Sequence, residues 1–149
     1  MREVFVYVEG PSDQLGMREL FADIMDLAAE KGRKVDFYPL DGKEPLLQKG
    51  PLKAINILRN RPDSYVFLVP DLYPPNKPFP HTSYAELKNE LGNRFAAEAR
   101  RKGCDQRLTN RFFVHCFKSI LQTLLVTMNQ QVAFTAQVKP NLGVSLSCL

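Results

Sequence analysis

Three carboxylates carry the chemistry this sequence offers: Glu9, Asp13 and Asp71. Glu9 ends the apolar run Val4-Phe5-Val6-Tyr7-Val8, Gly10-Pro11 turns the chain, and Ser12-Asp13 follows. Asp71 stands just past a second apolar run, Tyr65-Val66-Phe67-Leu68-Val69, after Pro70. If the two runs are neighbouring strands, Glu9 and Asp71 meet, and Asp13 sits one turn away at the mouth of the first helix. Hard oxygen donors of this kind suit Mg²⁺ or Mn²⁺, which completes its shell with water and substrate phosphate. A cation held there polarises a phosphodiester and lowers the pKa of an attacking water. Each acid also has a plain structural role. Asp13 can cap a helix, and Asp71 can organise a turn. Glu9, ending a buried strand, needs a partner in either case.

Other reactive side chains are more scattered. Cys104, Cys116 and Cys148 show no metal-ligand spacing and no disulfide framework, which favours a reducing cytoplasm. His115 in an apolar strand reads as a hydrogen-bonded core or edge histidine, and His81 as an ordinary loop residue facing solvent. Lys77 and Arg94 read as surface charges within reach of a phosphate. No phosphate-cradling glycine loop and no serine elbow is present. The net charge is +4 and the pI about 9.0. After Arg100 the only acid is Asp105, against Arg101, Lys102, Arg107, Arg111, Lys118 and Lys139. Bases clustered in this way follow a phosphate backbone or solvate a helix end and loop. Arg101, Lys102, Arg107 and Arg111 are the candidate nucleic-acid contacts.

The elements that must position these groups alternate. Strands are expected at Val4–Val8, Val35–Tyr38, Tyr65–Val69 and Phe112–Phe117, with helices at 14–31, from Gly50-Pro51 to about Asn60, 84–102 and 120–128. Ser12 or Asp13 would cap the first helix, whose stripe Leu15, Phe21, Ile24, Met25 and Leu27-Ala28 would face the sheet. The segment between Asp71 and Thr82 is too rich in proline for helix or central strand, so it is a loop. Val132–Val138 could add a strand. The fold class is α/β: a three-layer sandwich with a mainly parallel four-stranded sheet between helices. One domain over 1–130 is expected, with an atypical tail over 131–149. No apolar run is long enough to span a membrane, and none resembles a secretory signal.

Val8-Glu9-Gly10-Pro11-Ser12-Asp13 resembles the Glu-Gly-x-x-Asp signature of Toprim domains, particularly those of overcoming-lysogenization-defect nucleases. Together with Val114-His115-Cys116-Phe117-Lys118 it is similar to a Toprim-like protein family of unknown function, over residues 1–126. The resemblance implies a Mg²⁺-dependent nucleic-acid phosphodiesterase with Glu9 as ligand or general acid/base. It also makes Asp13 the additional acid and Asp71 the first aspartate of Asp-x-Asp. It further implies a partner ATPase of the AAA type, in a phage-defence setting. Two departures stand out. Tyr73 replaces the second aspartate, and Ile120-Leu121-Gln122 replaces the acids expected in the last helix. Both favour the alternative, a catalytically inactive Toprim-like subunit of an ATPase complex.

Overall fold

A computed structural model describes residues 2–74 and 80–116, all within one compact unit, Met1–Phe117. Lys77, the helix expected over 120–128, the strand Val132–Val138 and the 131–149 tail lie outside the described residues. The elements run β1 (Arg2–Val8), α1 (Pro11–Leu20), α2 (Ala22–Glu30), β2 (Arg33–Pro39), α3 (Lys43–Asn60), β3 (Tyr65–Val69), α4 (Tyr84–Arg101), a 3-10 turn (Gln106–Arg111) and β4 (Phe112–Val114). All described strand pairs are parallel and the order is β2-β1-β3-β4. The expected α/β sandwich around a four-stranded sheet is therefore the architecture present.

Alternation along the strands divides the core in two. Phe5, Tyr7, Val66, Leu68, Phe112 and Val114 point to one face and meet α3 and α4 through Leu46, Leu47, Ile55, Leu58, Leu87, Leu91 and Phe95. Val6, Val8, Phe37 and Val69 point to the other face, where Met17, Phe21 and Met25 of the first helical stretch cover them. A strand buried on both faces reads as a continuous apolar run, which is why β1 and β3 were so visible in sequence.

The helices depart from expectation in instructive ways. Helix α1 begins at Pro11 with Gly10 as N-cap, so Asp13 is not the cap but the third helical residue. Its Oδ2 accepts the Gly10 N–H at 2.9 Å. Pro11 suits the first helical position, because the N–H it lacks has no partner there. Leu15, Ile24 and Leu27, expected inward, are exposed, and Met17 is the buried anchor. The reason is that α1 and α2 pack mainly on β2, an edge strand, so only a narrow stripe is covered. Helix α3 starts at Lys43 rather than at Gly50, with Pro51 in its interior. A mid-helix proline costs about 3 kcal/mol. Here Leu46, Leu47, Ala54, Ile55 and Leu58, all fully buried, outweigh it. Strand β4 ends at Val114, so His115 and Cys116 lie just beyond it.

Two glycines test this packing. A Cβ on Gly50 would come within 2.9 Å of Leu68 Cδ1, because α3 lies directly against β3 there. Gly92 in α4 faces open space. Gly50→Val is expected to lower stability by about 2 kcal/mol or more, and Gly92→Ala to raise it by about 0.5–1 kcal/mol. Urea melts of the two variants read both; equal effects would contradict this account of the α3–β3 contact.

Candidate functional site

Strand order and connection direction determine where a site forms. From β1 the chain leaves through α1 and α2 to β2 on one side; from β3 it leaves through α4 to β4 on the other. The point where connections diverge, at the carboxyl ends of β1 and β3, is the usual ligand crevice of an open parallel sheet. Val8 aligns with Val69 across the β1–β3 pair. Glu9 and Asp71 follow these residues, so both acids fall in that crevice.

Four hydrogen bonds join the loops around it. Glu9 Oε1 accepts the Asp71 N–H at 2.8 Å. The Glu9 carbonyl accepts the Gly42 N–H at 2.7 Å, drawing in the loop before α3. That loop turns sharply through Asp41 and Gly42, both at positive φ, which glycine tolerates readily. Lys43 follows and donates through Nζ to the carbonyls of Leu72 (3.2 Å) and Pro74 (2.5 Å). His81 Nε2 lies 2.9 Å from the same Leu72 carbonyl. Expected to face solvent, His81 is instead 4% exposed and part of the loop's support.

The electrostatics follow from this crowding. Burial pushes the Glu9 carboxyl above its ordinary pKa; the Asp71 N–H bond opposes the shift, while the neighbouring Asp71 and Asp13 charges add to it. Asp71 is raised by burial and by Asp13, with Lys43 opposing. Lys43 is lowered by burial, against the pull of Glu9 and Asp71. Cys116, also half-buried, is pushed up to about 11 by burial, so its thiol stays protonated at neutral pH. Lys43 was not singled out in the sequence. The signal was present in Asp41-Gly42-Lys43, a turn that delivers a cation to the start of α3.

The trio's donor chemistry fits a hard divalent cation. Glu9 and Asp13 each spend one oxygen on a backbone N–H and keep the other. The Asp71 side chain accepts no hydrogen bond among the described residues. No three Asp, Glu, His or Cys side chains among the described residues form a ready-made metal group. An open Mg²⁺ site needs only one or two carboxylates, with water and phosphate supplying the rest.

The candidate basic contacts lie elsewhere. Arg101, Lys102, Arg107 and Arg111 all come at the end of α4 or in the 3-10 turn, just before β4 begins. In a parallel sheet that is the amino edge, one strand length from the acids, or about 20 Å. Arg101 pairs with Glu98, and Lys102 bonds Asn56. Arg107 is exposed beside Asp105. Arg111 donates to the carbonyls of Leu58, Arg61 and Ser64, at 3.0, 3.0 and 3.1 Å, closing the C-terminal end of α3.

The raised carboxyls make a stability prediction for the metal-free protein. A carboxyl whose folded pKa exceeds its unfolded value binds protons more tightly when folded, so stability falls as pH rises through that interval. Glu9→Gln and Asp71→Asn remove the charge and are expected to raise Tm at pH 7 by a few degrees at most. The gain should fade as pH falls below the ordinary carboxylate range, where the wild-type groups are themselves neutral. Tm measured from about pH 3 to 8 checks this; a loss at pH 7 would show that the charges stabilise the fold.

Among the described residues, no helix is long and apolar enough to cross a membrane. Comparison with models of known protein families, with characterised proteins and with solved structures finds no match to this chain, so its functional reading rests on the geometry of the β1–β3 crevice.

Proposed function

We propose that this chain is a Toprim-like, Mg²⁺- or Mn²⁺-dependent nucleic-acid phosphodiesterase. The observation that carries the reading is charge at the switch point. Glu9 and Asp71 feel each other, Asp13 and, among the described residues, the Lys43 ammonium, so three carboxyls with one neighbouring cation make a formal excess of two negative charges. A single divalent cation neutralises that excess, whereas a phosphate alone would be repelled. When bound, the metal supplies Lewis-acid polarisation of the phosphodiester and a more acidic water.

The chain's own groups supply the rest. Glu9 Oε1 is held by the Asp71 N–H, which leaves Oε2 to take or return a proton. Asp71 and Asp13, with Glu9, would contribute oxygens to the cation. Arg101, Lys102 and Arg107, at the far edge, would track a nucleic-acid backbone that runs along the strands for about 20 Å to the acids, some six nucleotides at ~3.4 Å each. An AAA-type ATPase partner and a role in phage defence accompany this reading by analogy with Toprim nucleases, as does a cytoplasmic location.

A second reading has its own support. Tyr73 stands where Asp-x-Asp needs its second carboxylate, and it is half-exposed on the loop that Lys43 ties down. On that view the chain is an inactive Toprim-like binding subunit of an ATPase complex. Calorimetric titration with Mg²⁺ and Mn²⁺ separates the two. Saturable binding weakened at least about tenfold by Glu9→Gln supports the phosphodiesterase and directs assays to DNA and RNA. Absence of binding to the wild type removes the enzyme reading and leaves the subunit.

A further inference from the structure

The geometry points to Lys43 as the positioning residue of this site, the group that aims Asp71 by fastening the chain just beyond it. The inference rests on the metal-site reading for its purpose, and on three hydrogen-bonded loops for its evidence. The loop after β1 holds the loop before α3 through the Glu9 carbonyl and the Gly42 N–H. The loop before α3 holds the loop after β3 through Lys43 Nζ and the carbonyls of Leu72 and Pro74. The loop after β3 returns to Glu9 through the Asp71 N–H. These links close a ring around the β1–β3 crevice, and among the described residues Lys43 is the side chain that spans from α3 to the loop after β3 within it.

Its placement suits that task. Lys43 opens α3, and Leu46 and Leu47 in the next turn are fully buried, so its backbone is anchored to the core. Its ammonium is half-buried and bonded to two carbonyls, the nearer only one residue past Asp71. Charge-assisted bonds of this kind are stronger than neutral ones. Lys43 makes no ion pair within 4 Å among the described residues, so its Coulombic influence on Glu9 and Asp71 acts at longer range. Its direct bonds are to the two carbonyls, so they supply position, while its charge reaches the acids at longer range. The ring also leaves Asp71 with its backbone fixed and its carboxylate uncommitted among the described residues, the arrangement a ligand-binding acid requires.

The two roles predict opposite signs. A mere counter-charge near a metal repels the cation, so its removal tightens binding. A positioning residue, once removed, lets Asp71 drift and weakens binding. Lys43→Met keeps the apolar stem and deletes the donor. We expect Mn²⁺ affinity measured by calorimetry to fall about threefold or more, and hydrogen exchange at the Asp71 amide to quicken about tenfold relative to Val6 and Val66 in the core. Tighter Mn²⁺ binding with unchanged exchange at Asp71 overturns the proposal. If the wild type takes no Mn²⁺, the phosphodiesterase reading fails on its own, and exchange at Asp71 still decides the role of Lys43. If Lys43→Met does not melt cooperatively, Lys43→Arg decides by the same exchange measurement. Arginine keeps the charge but carries its donors beyond both carbonyls, so positioning predicts faster exchange and a counter-charge predicts none.

Discussion

The structure turns on one hydrogen bond, from the Asp71 N–H to Glu9 Oε1. It ties the ends of two neighbouring central strands where their connections part in opposite directions. Without it, Glu9 would be a half-buried carboxylate at the end of an apolar strand with nothing to replace its water. With it, one oxygen is satisfied and the side chain's direction is determined. Asp13 repeats the device on a smaller scale, one oxygen closing onto the Gly10 N–H at the start of α1. Backbone donors thus orient both acids while leaving each with capacity for a ligand.

How far the sequence could be read depended on which constraint governed each element. Strand β3 matched residue for residue, because Tyr65–Val69 is buried on both faces and no other element suits so short an apolar run. Glu9 and Asp71 were legible for the same reason: strand ends are easy to place once the strands are. Whether those strands are adjacent is a property of topology, and it is the pairing of β1 with β3 that brings the two acids together. The start of α3 was hidden by Gly50-Pro51, which reads as a helix opening. Burial of Leu46 and Leu47 carries the helix through the proline, a tertiary effect that local rules do not contain. Leu15, Ile24 and Leu27 failed for the converse reason. Their spacing is helical, but a helix over an edge strand buries less of its circumference than the pattern suggests.

The basic cluster shows the limit of reading charge as a list. Arg101, Lys102, Arg107 and Arg111 are adjacent in sequence, yet they do different work. Arg111 is committed to three main-chain carbonyls, where a planar fork of donors is well suited to close a helix end. Arg101 and Lys102 have partners of their own, and Arg107 is the most exposed of the group. All four share the amino edge of the sheet, so none shares a crevice with the acids. The cation that does lie there, Lys43, stands alone in sequence between Gly42 and Glu44, and composition gave it no prominence.

Under the Toprim-like reading, Lys43 also bears on position 73. In an Asp-x-Asp arrangement the second carboxylate adds negative charge two residues past the first. Here that position is Tyr73, flanked by the two carbonyls that Lys43 holds. An ammonium bonded on either side of position 73 supplies positive charge where a two-metal site would place another carboxylate. If a metal binds there, that added positive charge would favour one divalent cation over two. On the Toprim-like reading, Tyr73 in place of a carboxylate and the Lys43 ammonium bonded on either side of it would act in the same electrostatic direction. Under the phosphodiesterase reading, that arrangement would favour a single metal held by the acids, with Glu9 the chain's own group for moving a proton.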